Sequence, residues 1–181
     1  MEKMNDLKAL LKHDVQMLRS AEEQIVSAMP AMIARATNPA LKQALEQHLR
    51  ITENHARRID PVRDMLGADE DSVKKYSGIL ASVMGGTKCK GMEGLIDEGE
   101  KLMAENLDNE VMDAAIIGAC QKIEHFEIAS YGTARAYAEQ LGRNDAAQLL
   151  QQTLEEEYQA DEILTNLAVN TINMQAEVGA H

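Results

Sequence analysis

The sequence predicts an all-α protein, folded as a four-helix bundle with one long connection. The chain has 181 residues and is 45% hydrophobic but only 3% aromatic, with three prolines and no tryptophan. The good helix formers Ala, Leu, Glu, Gln, Lys and Met dominate over the β-branched and aromatic residues that strands favour. Apolar residues also recur at the 3.6-residue period of an amphipathic helix over long stretches. A chain of this length suits one domain with a buried core.

Two long helices are predicted in the first part of the chain. The first covers residues 5–36, and the second covers residues 41–66 and stops at Gly67. Pro30 and Pro61 lie inside these helices. We expect a kink at each, because proline removes a backbone hydrogen bond and clashes with the preceding turn.

Residues 67–108 form the predicted crossover, because glycines interrupt the helical repeat there. Two short helices are expected near residues 70–82 and 92–105, around the glycine-rich loop of residues 85–91. That loop does not match a phosphate-binding loop, since it follows no predicted strand and lacks the Gly-Lys-Ser/Thr ending.

Two more long helices follow the crossover. The third covers residues 108–141 and the fourth residues 144–173, and Gly142 between them is typical of a helix C-terminus. We expect residues 1–173 to form one domain and residues 174–181 to form a flexible tail.

Two hairpins of long helices joined by a crossover of roughly 40 residues fit a bundle with one long connection, whereas a simple up-down-up-down bundle has only short loops. The pattern therefore favours the ferritin-like arrangement.

The charge balance excludes several classes of function. Thirty acidic and 18 basic residues give a formal net charge of -12, so neither nucleic acid nor an anionic membrane is an expected partner. The sequence has no secretory signal and no apolar stretch long enough to cross a membrane. We therefore expect a cytoplasmic protein with its two cysteines reduced.

Five acidic side chains occupy positions where a helix should present apolar residues to the core. They are Glu22, Glu124, Glu127, Glu157 and Asp161. A buried ionised carboxylate needs a partner, and no lysine or arginine falls at the matching level of these faces. Carboxylates with one or two imidazoles suit iron or manganese, so we expect two metal ions between the helices.

The second helix provides the weakest quarter of this predicted site. His55 lies at one edge of its apolar stripe, with His48 nearby, and Glu53 lies at the opposite edge. Glu22 precedes His55 by 33 residues and Glu124 precedes Glu157 by the same number, as in a diverged repeat. His55 is therefore a candidate ligand and Glu53 the alternative, although histidines at a stripe edge are more often surface or interface residues.

Other interpretations of these residues stay open. The inward acids could form a hydrogen-bonded network with one another, with Tyr131, or with arginines reaching across the bundle. Cys120 is more typical of a small core residue than of a ligand. Cys89, between two lysines, should have a lowered pKa if it is exposed.

Several segments across nearly the whole chain resemble the stress-associated YciE/YciF group of ferritin-like proteins. These segments are Asp14…Ala21-Glu22, His48-Leu49…Thr52…His55…Arg58-Ile59, Lys88-Cys89-Lys90-Gly91-Met92-Glu93-Gly94-Leu95-Ile96, Lys122-Ile123-Glu124-His125-Phe126-Glu127-Ile128, and Thr153-Leu154-Glu155-Glu156-Glu157…Ala160-Asp161.

The resemblance implies a ligand pattern. Ferritins and rubrerythrins use one Glu on the first helix, one on the third, and Glu-x-x-His on the second and fourth. Glu22 and Glu124 match the single glutamates, but the second helix offers Thr52-x-x-His55 and the fourth offers Glu157-x-x-Ala160. One Glu and one His of the usual set are therefore missing.

The inward acids and the resemblance together leave two functions open. The first is a di-metal protein, with iron or manganese, that oxidises Fe(II) or reduces peroxide. The alternative is a non-catalytic stress-response bundle, such as a dimerisation module, in which the acids are structural. A homodimer is compatible with both.

Overall fold

The computed structural model describes residues 4–67 and 88–178, and within these residues the chain forms helices and no strand. The all-α prediction is confirmed. The elements are α1 (Leu7–Arg35), α2 (Pro39–Met65), α3 (Lys90–Met103), α4 (Asn109–Gln140), α5 (Asn144–Leu167), a π-helical turn (Ala168–Ile172) and α6 (Asn173–Val178). In the described part of the chain no helix is long and apolar enough to cross a membrane.

The helix ends follow local side-chain chemistry. The Asp6 carboxylate accepts a hydrogen bond from the backbone N–H of Ala9 and caps α1. Gly142 lies just beyond α4 at a φ of 67°, a left-handed conformation that glycine adopts without a steric penalty. Both α1 and α2 continue past Pro30 and Pro61, so neither proline ends its helix.

The four long helices of the described residues run up, down, down and up. Short loops make α1 antiparallel to α2 and α4 antiparallel to α5. Across the bundle, Glu22 of α1 contacts Tyr131 of α4, whereas Met32, further along α1, contacts Cys120. These contacts make α1 and α4 antiparallel, so α2 and α4 point the same way. The connection between α2 and α4 must therefore return along the bundle, as the sequence predicted.

A buried carboxylate holds the loop between α1 and α2. Asp113 of α4 accepts hydrogen bonds from the backbone N–H and the hydroxyl of Thr37, both at 2.7 Å, and from the N–H of Asn38 at 2.8 Å. Asp113 is only 3% exposed. Because three donors satisfy it, this carboxylate fixes the loop at the end of the bundle.

Helix α3 lies along α1 and α4. The backbone N–H of Cys89 donates to Ser20 Oγ at 3.0 Å, and the Gln24 amide donates to the Cys89 carbonyl at 3.2 Å. Cys89 is only 4% exposed, so the exposed thiol considered from the sequence is not present. Lys88 and Lys90 both pair with Glu93. The expected helix near residues 92–105 is observed, and the one near 70–82 lies outside the described residues.

The last long helix extends further than the sequence indicated. It passes through the π-helical turn and α6 to Val178, rather than ending near residue 173. Ile172 of the turn is buried against the core, which anchors this extension. Residues 174–178 of the expected tail are therefore helical, and residues 179–181 lie outside the described residues.

The apolar core forms two clusters, one toward each end of the bundle. One cluster includes Ile25, Met29, Ile116, Ile123 and Leu164. The other includes Leu11, Leu18, Ile59, Tyr131 and Leu154. On each long helix, the inward polar residues come between members of the two clusters, so the bundle positions them in one middle layer.

Gly91 and Gly94 of α3 provide a matched test of how α3 packs. A Cβ at Gly91 would lie 2.7 Å from the ring of Phe126, which packs against the core, whereas a Cβ at Gly94 would meet nothing within 4 Å. We expect Gly91→Ala to lower the free energy of unfolding by about 1–3 kcal/mol through overpacking. Gly94→Ala should raise it by about 0.5–1 kcal/mol, because alanine favours a helix interior. Urea unfolding measures both, and equal effects would contradict this packing of α3 on α4.

Candidate metal centre

Every long helix of the bundle contributes a buried polar side chain to the middle layer. His48 and His55 are seven residues apart on α2, and Glu124 and Glu127 are three apart on α4, so each pair shares a helix face. The six residues of this cluster, hereafter the acid–histidine cluster, are Glu22 from α1, His48 and His55 from α2, Glu124 and Glu127 from α4, and Glu157 from α5.

The cluster contains two triads with metal-ligand geometry. In each, the three ligand atoms lie within 4.8 Å of one another. Glu157 belongs to both. The first triad adds Glu22 and His55, and the second adds His48 and Glu124. Glu157 Oε1 lies 2.8 Å from His55 Nδ1, and Glu124 Oε1 lies 3.1 Å from His48 Nε2.

These side chains approach one another closely, but most of their polar atoms do not meet in hydrogen-bond geometry. Among the described residues, 11 buried side-chain nitrogen and oxygen atoms have no hydrogen-bond partner, and nine of them belong to the acid–histidine cluster. Both carboxylate oxygens of Glu127 and of Glu157 are in this group, as are both ring nitrogens of His48. Buried polar atoms are normally paired, so this concentration indicates a missing common partner.

Burial raises the pKa of most of the carboxylates. It raises the pKa of Glu22 to about 8, with the charge of Glu157 adding to the effect. The pKa of Glu124 rises to about 7, again through burial, although His48 opposes the shift. Burial and the charge of Glu157 hold the pKa of Glu127 well above its ordinary value. Three carboxylates of the cluster therefore favour protonation when no cation is present.

The two histidines respond in the opposite direction. Burial disfavours a charged imidazole, but the charge of Glu124 and the contact with it outweigh burial and raise the pKa of His48 to about 9. The pKa of His55 is raised in the same way, chiefly by Glu157. Burial likewise acts to raise the pKa of Glu157, but the hydrogen bond from His55 and its charge lower it. Without metal, two imidazolium ions thus compensate the ionised carboxylates.

A second group of residues holds His55 from behind. His55 Nε2 lies 2.6 Å from Glu156 Oε2. The Arg58 guanidinium donates to both oxygens of Glu156, at 2.8 and 3.1 Å, and to the Thr153 hydroxyl at 2.7 Å. Burial would raise the pKa of Glu156, but the hydrogen bond from Arg58 lowers it. The carboxylate is thus ionised beside His55 and directs the other ring nitrogen, Nδ1, toward the cluster.

Tyr131 holds the carboxylate of Glu22. Its hydroxyl donates a hydrogen bond to Glu22 Oε1, and its side chain is fully buried. Burial and the charge of Glu22 hold the pKa of Tyr131 well above its ordinary value. The phenol therefore stays protonated and acts as a donor to Oε1, while Glu22 Oε2 has no hydrogen-bond partner.

The structure brings together five of the residues that the sequence predicted, namely Glu22, His55, Glu124, Glu127 and Glu157. Asp161 lies apart from them. Its carboxylate accepts a hydrogen bond from Gln121 at 3.1 Å and lies 3.5 Å from His125 at the edge of α5. The alternative residue, Glu53, is exposed.

Sequence reasoning underrated three residues. His48, at the edge of its apolar stripe, lies inside the cluster with only 11% of its side chain exposed. Helical phase places Glu156 and Arg58 off the inward faces, yet both contact the site. Cys120 packs against Met32 and has a pKa raised to about 12 by burial, as expected of a core thiol.

Comparisons with known proteins agree with the resemblance seen in the sequence. The family described as "Domain of unknown function (DUF892)" matches residues 6–177. Protein YciF of Escherichia coli (strain K12) is 46% identical over 159 residues, which cover 87% of each chain.

Solved structures give the same result. The crystal structure of the Escherichia coli stress protein YciF matches with a TM-score of 0.79 and 40% identity, covering 94% of this chain and 99% of that one. YcfI from Rhodopseudomonas palustris matches with a TM-score of 0.77 and 35% identity, covering 93% and 98%. The resemblance to the YciF group is therefore confirmed, and the chain belongs to the DUF892 family.

Proposed function

We propose that this protein binds two divalent metal ions, iron or manganese, in the acid–histidine cluster. The observation that carries the proposal is the concentration of unpartnered buried ligand atoms, nine of the 11 in the described residues. Oxygen donors with a minority of imidazoles suit these metals. A pair of metal ions would give most of these atoms a partner at once.

The two triads suggest how the ligands would be shared. Glu22 and His55 would serve one ion, and Glu124 and His48 the other. Glu157 belongs to both triads, so it is the natural bridging carboxylate. Glu127 is fully buried, and the charges of Glu157, Glu22 and Glu124 raise its pKa, which makes it the additional carboxylate of the pair.

Charge balance supports two ions rather than one. With neutral histidines, the four ionised glutamates carry four negative charges, which two divalent cations neutralise. An uncompensated charge at this depth would be strongly unfavourable. The Arg58–Glu156 pair adds no net charge to the layer, since its two members neutralise each other.

The chemistry that we propose is oxidation of Fe(II) or reduction of peroxide. Metal ions of this kind supply one-electron steps close to a bound oxidant. The chain's own residues hold the ligands in place through Tyr131 and Glu156, and the two apolar clusters exclude water above and below the layer.

One observation favours the alternative of a non-catalytic helical module. The pKa values of His48 and His55 are raised, so the two imidazolium ions can compensate the acids without metal. The two functions differ in the metal content of the purified protein and in its activity, which the following predictions address.

The first prediction concerns metal stoichiometry. The wild-type chain, loaded with Mn(II) and desalted, should retain two ions per chain by mass spectrometry of the metal. Glu157→Gln should retain fewer than one, because it removes the ligand shared by both triads. The exposed neighbour Glu155 provides the control, and Glu155→Gln should retain two.

Two further variants test the remaining sequence candidates. Glu53→Gln and Asp161→Asn should also retain two ions, since neither side chain belongs to the cluster. If the wild type retains no metal, or if Glu157→Gln binds as well as wild type, the metal-binding proposal is wrong.

The second prediction is that metal affinity rises with pH. A ligand must lose its proton to bind, and in the metal-free protein the pKa values of Glu124, Glu22 and His48 are about 7, 8 and 9. These groups are mostly protonated at about pH 6 and compete with the metal, whereas most protons have left by about pH 9. Mn(II) affinity, followed by the electron paramagnetic resonance signal of the free ion, should therefore increase across this range, with proton release on binding. A flat profile would contradict the role of these residues as ligands.

The third prediction concerns catalysis. Aerobic addition of Fe(II) to the wild-type protein should produce ferric absorbance faster than buffer alone, and Glu22→Ala and Glu127→Ala should remove this gain because each loses a ligand. Glu23→Ala, next to Glu22 but exposed, is the control. A wild-type protein that binds iron but neither oxidises it nor consumes peroxide would have a storage or structural site.

A further inference from the structure

A groove between α2 and α5 leads from the protein surface to the acid–histidine cluster. It encloses about 260 Å³. Its walls are mainly apolar, with Ala44 and Ile51 on α2 and Ala160 and Leu164 on α5, and glutamines lie at its rim. His48, a member of the second triad, lines this groove.

The groove has a polar end that lacks a partner. His48 Nε2 lies 3.1 Å from Glu124 Oε1 without hydrogen-bond geometry, and the buried Nδ1 has no hydrogen-bond partner. Glu156 also lines the groove, where it is held by Arg58 and His55. A molecule in the groove would therefore have an apolar environment along its body and an imidazole at its inner end.

The size and polarity of the groove define the occupant. A cavity of about 150 Å³ holds benzene, so 260 Å³ accommodates a somewhat larger molecule. Apolar walls disfavour a charged or hydrated species, because they offer it no replacement for its water. The alanines at 44 and 160 keep the groove open, since a larger side chain at either would fill it.

We propose that this groove binds an organic hydroperoxide, with its apolar body between α2 and α5 and its peroxide oxygens at His48. The proposal rests on the proposed function and names the substrate class of that same site. Reduction of a hydroperoxide would break its O–O bond, take up two protons from solvent and two electrons, one from each of two Fe(II) ions that the cluster would hold, and release an alcohol and water.

Binding can be tested separately from metal chemistry. Cumyl alcohol, the product of cumene hydroperoxide reduction, should bind to the full chain both as purified and after dialysis against a chelator, as measured by calorimetry. Ala44→Leu should weaken this binding by about tenfold or more, because it fills the groove. Ala136→Leu, at an exposed position of α4, is the matched control and should bind like wild type.

The kinetic test compares two peroxides in a single turnover of the protein loaded anaerobically with Fe(II). Ala44→Leu should slow the oxidation of this iron by cumene hydroperoxide but leave its oxidation by hydrogen peroxide unchanged, since the smaller molecule does not need the groove. Ala40→Leu, two turns from His48 along the same groove, should have the same selective effect. Agreement between the two variants would show that the effect does not come from misfolding of one of them.

The outcomes separate the proposals. If the alcohol does not bind, or if Ala44→Leu and Ala136→Leu bind it equally, the groove proposal is overturned even where iron is retained. If the alcohol binds selectively but no metal is retained, the proposed function fails and the hydroperoxide assignment fails with it, while the groove remains a binding site. If Ala44→Leu converts a dimer to a monomer by light scattering, a second copy of the chain occupies the groove and the proposal is wrong.

Discussion

The burial of four glutamates in the middle of the bundle is the constraint on which the rest of the structure depends. Removing a carboxylate from water costs several kcal/mol even after the protein relaxes. Four in one layer repel one another as well, as the raised pKa values of Glu22, Glu124 and Glu127 show. Such a layer is stable only because the apolar clusters on either side fix the helices and because nearby cations compensate the negative charges. His48 and His55 provide cations when protonated, and the same residues would be neutral ligands in the proposed metal-bound state.

The composition of the cluster shows how a chain that departs from the ferritin and rubrerythrin pattern can still offer enough ligands for the proposed metal pair. The sequence has Thr52 and Ala160 where that pattern has a Glu and a His. The cluster nevertheless contains four glutamates and two histidines, because Glu127 adds a carboxylate on α4 and His48 adds an imidazole on α2. Inward positions on neighbouring helices face the same space, so a ligand that one helix lacks can come from another helix. Because position 160 is an alanine, the wall of the groove stays open there.

Helical periodicity was enough to predict the bundle and most of the layer, and its failures have a common cause. At about 100° per residue, Asp161 lies only about 40° from Glu157 around the helix, whereas Glu156 lies about 100° away. Phase alone therefore favours Asp161. In the structure Glu156 is on the side of α5 that faces α2, where Arg58 and His55 reach it, and Asp161 faces the edge of α4. The direction of the nearest neighbour decides the contact, and a single helix does not reveal that direction.

The same limitation explains His48. On α2 both histidines lie to one side of Thr52, by about 40° and 60° around the helix. If α2 packed against a single neighbouring helix, both side chains would lie at the edge of the contact. Because α2 packs against both α1 and α5, its buried face is broader than its apolar stripe. Residues at the edge of the apolar stripe therefore lie inside the bundle, and polar residues there contact the acids of two other helices.

The two sides of the acid–histidine cluster differ in how well they are shielded from solvent. Tyr131 and the core close the cluster beside Glu22, while the groove reaches His48 from the α2–α5 side. His48 is the one member of the cluster that lines the groove, so among the described residues the two histidines differ in their access to a molecule from that side.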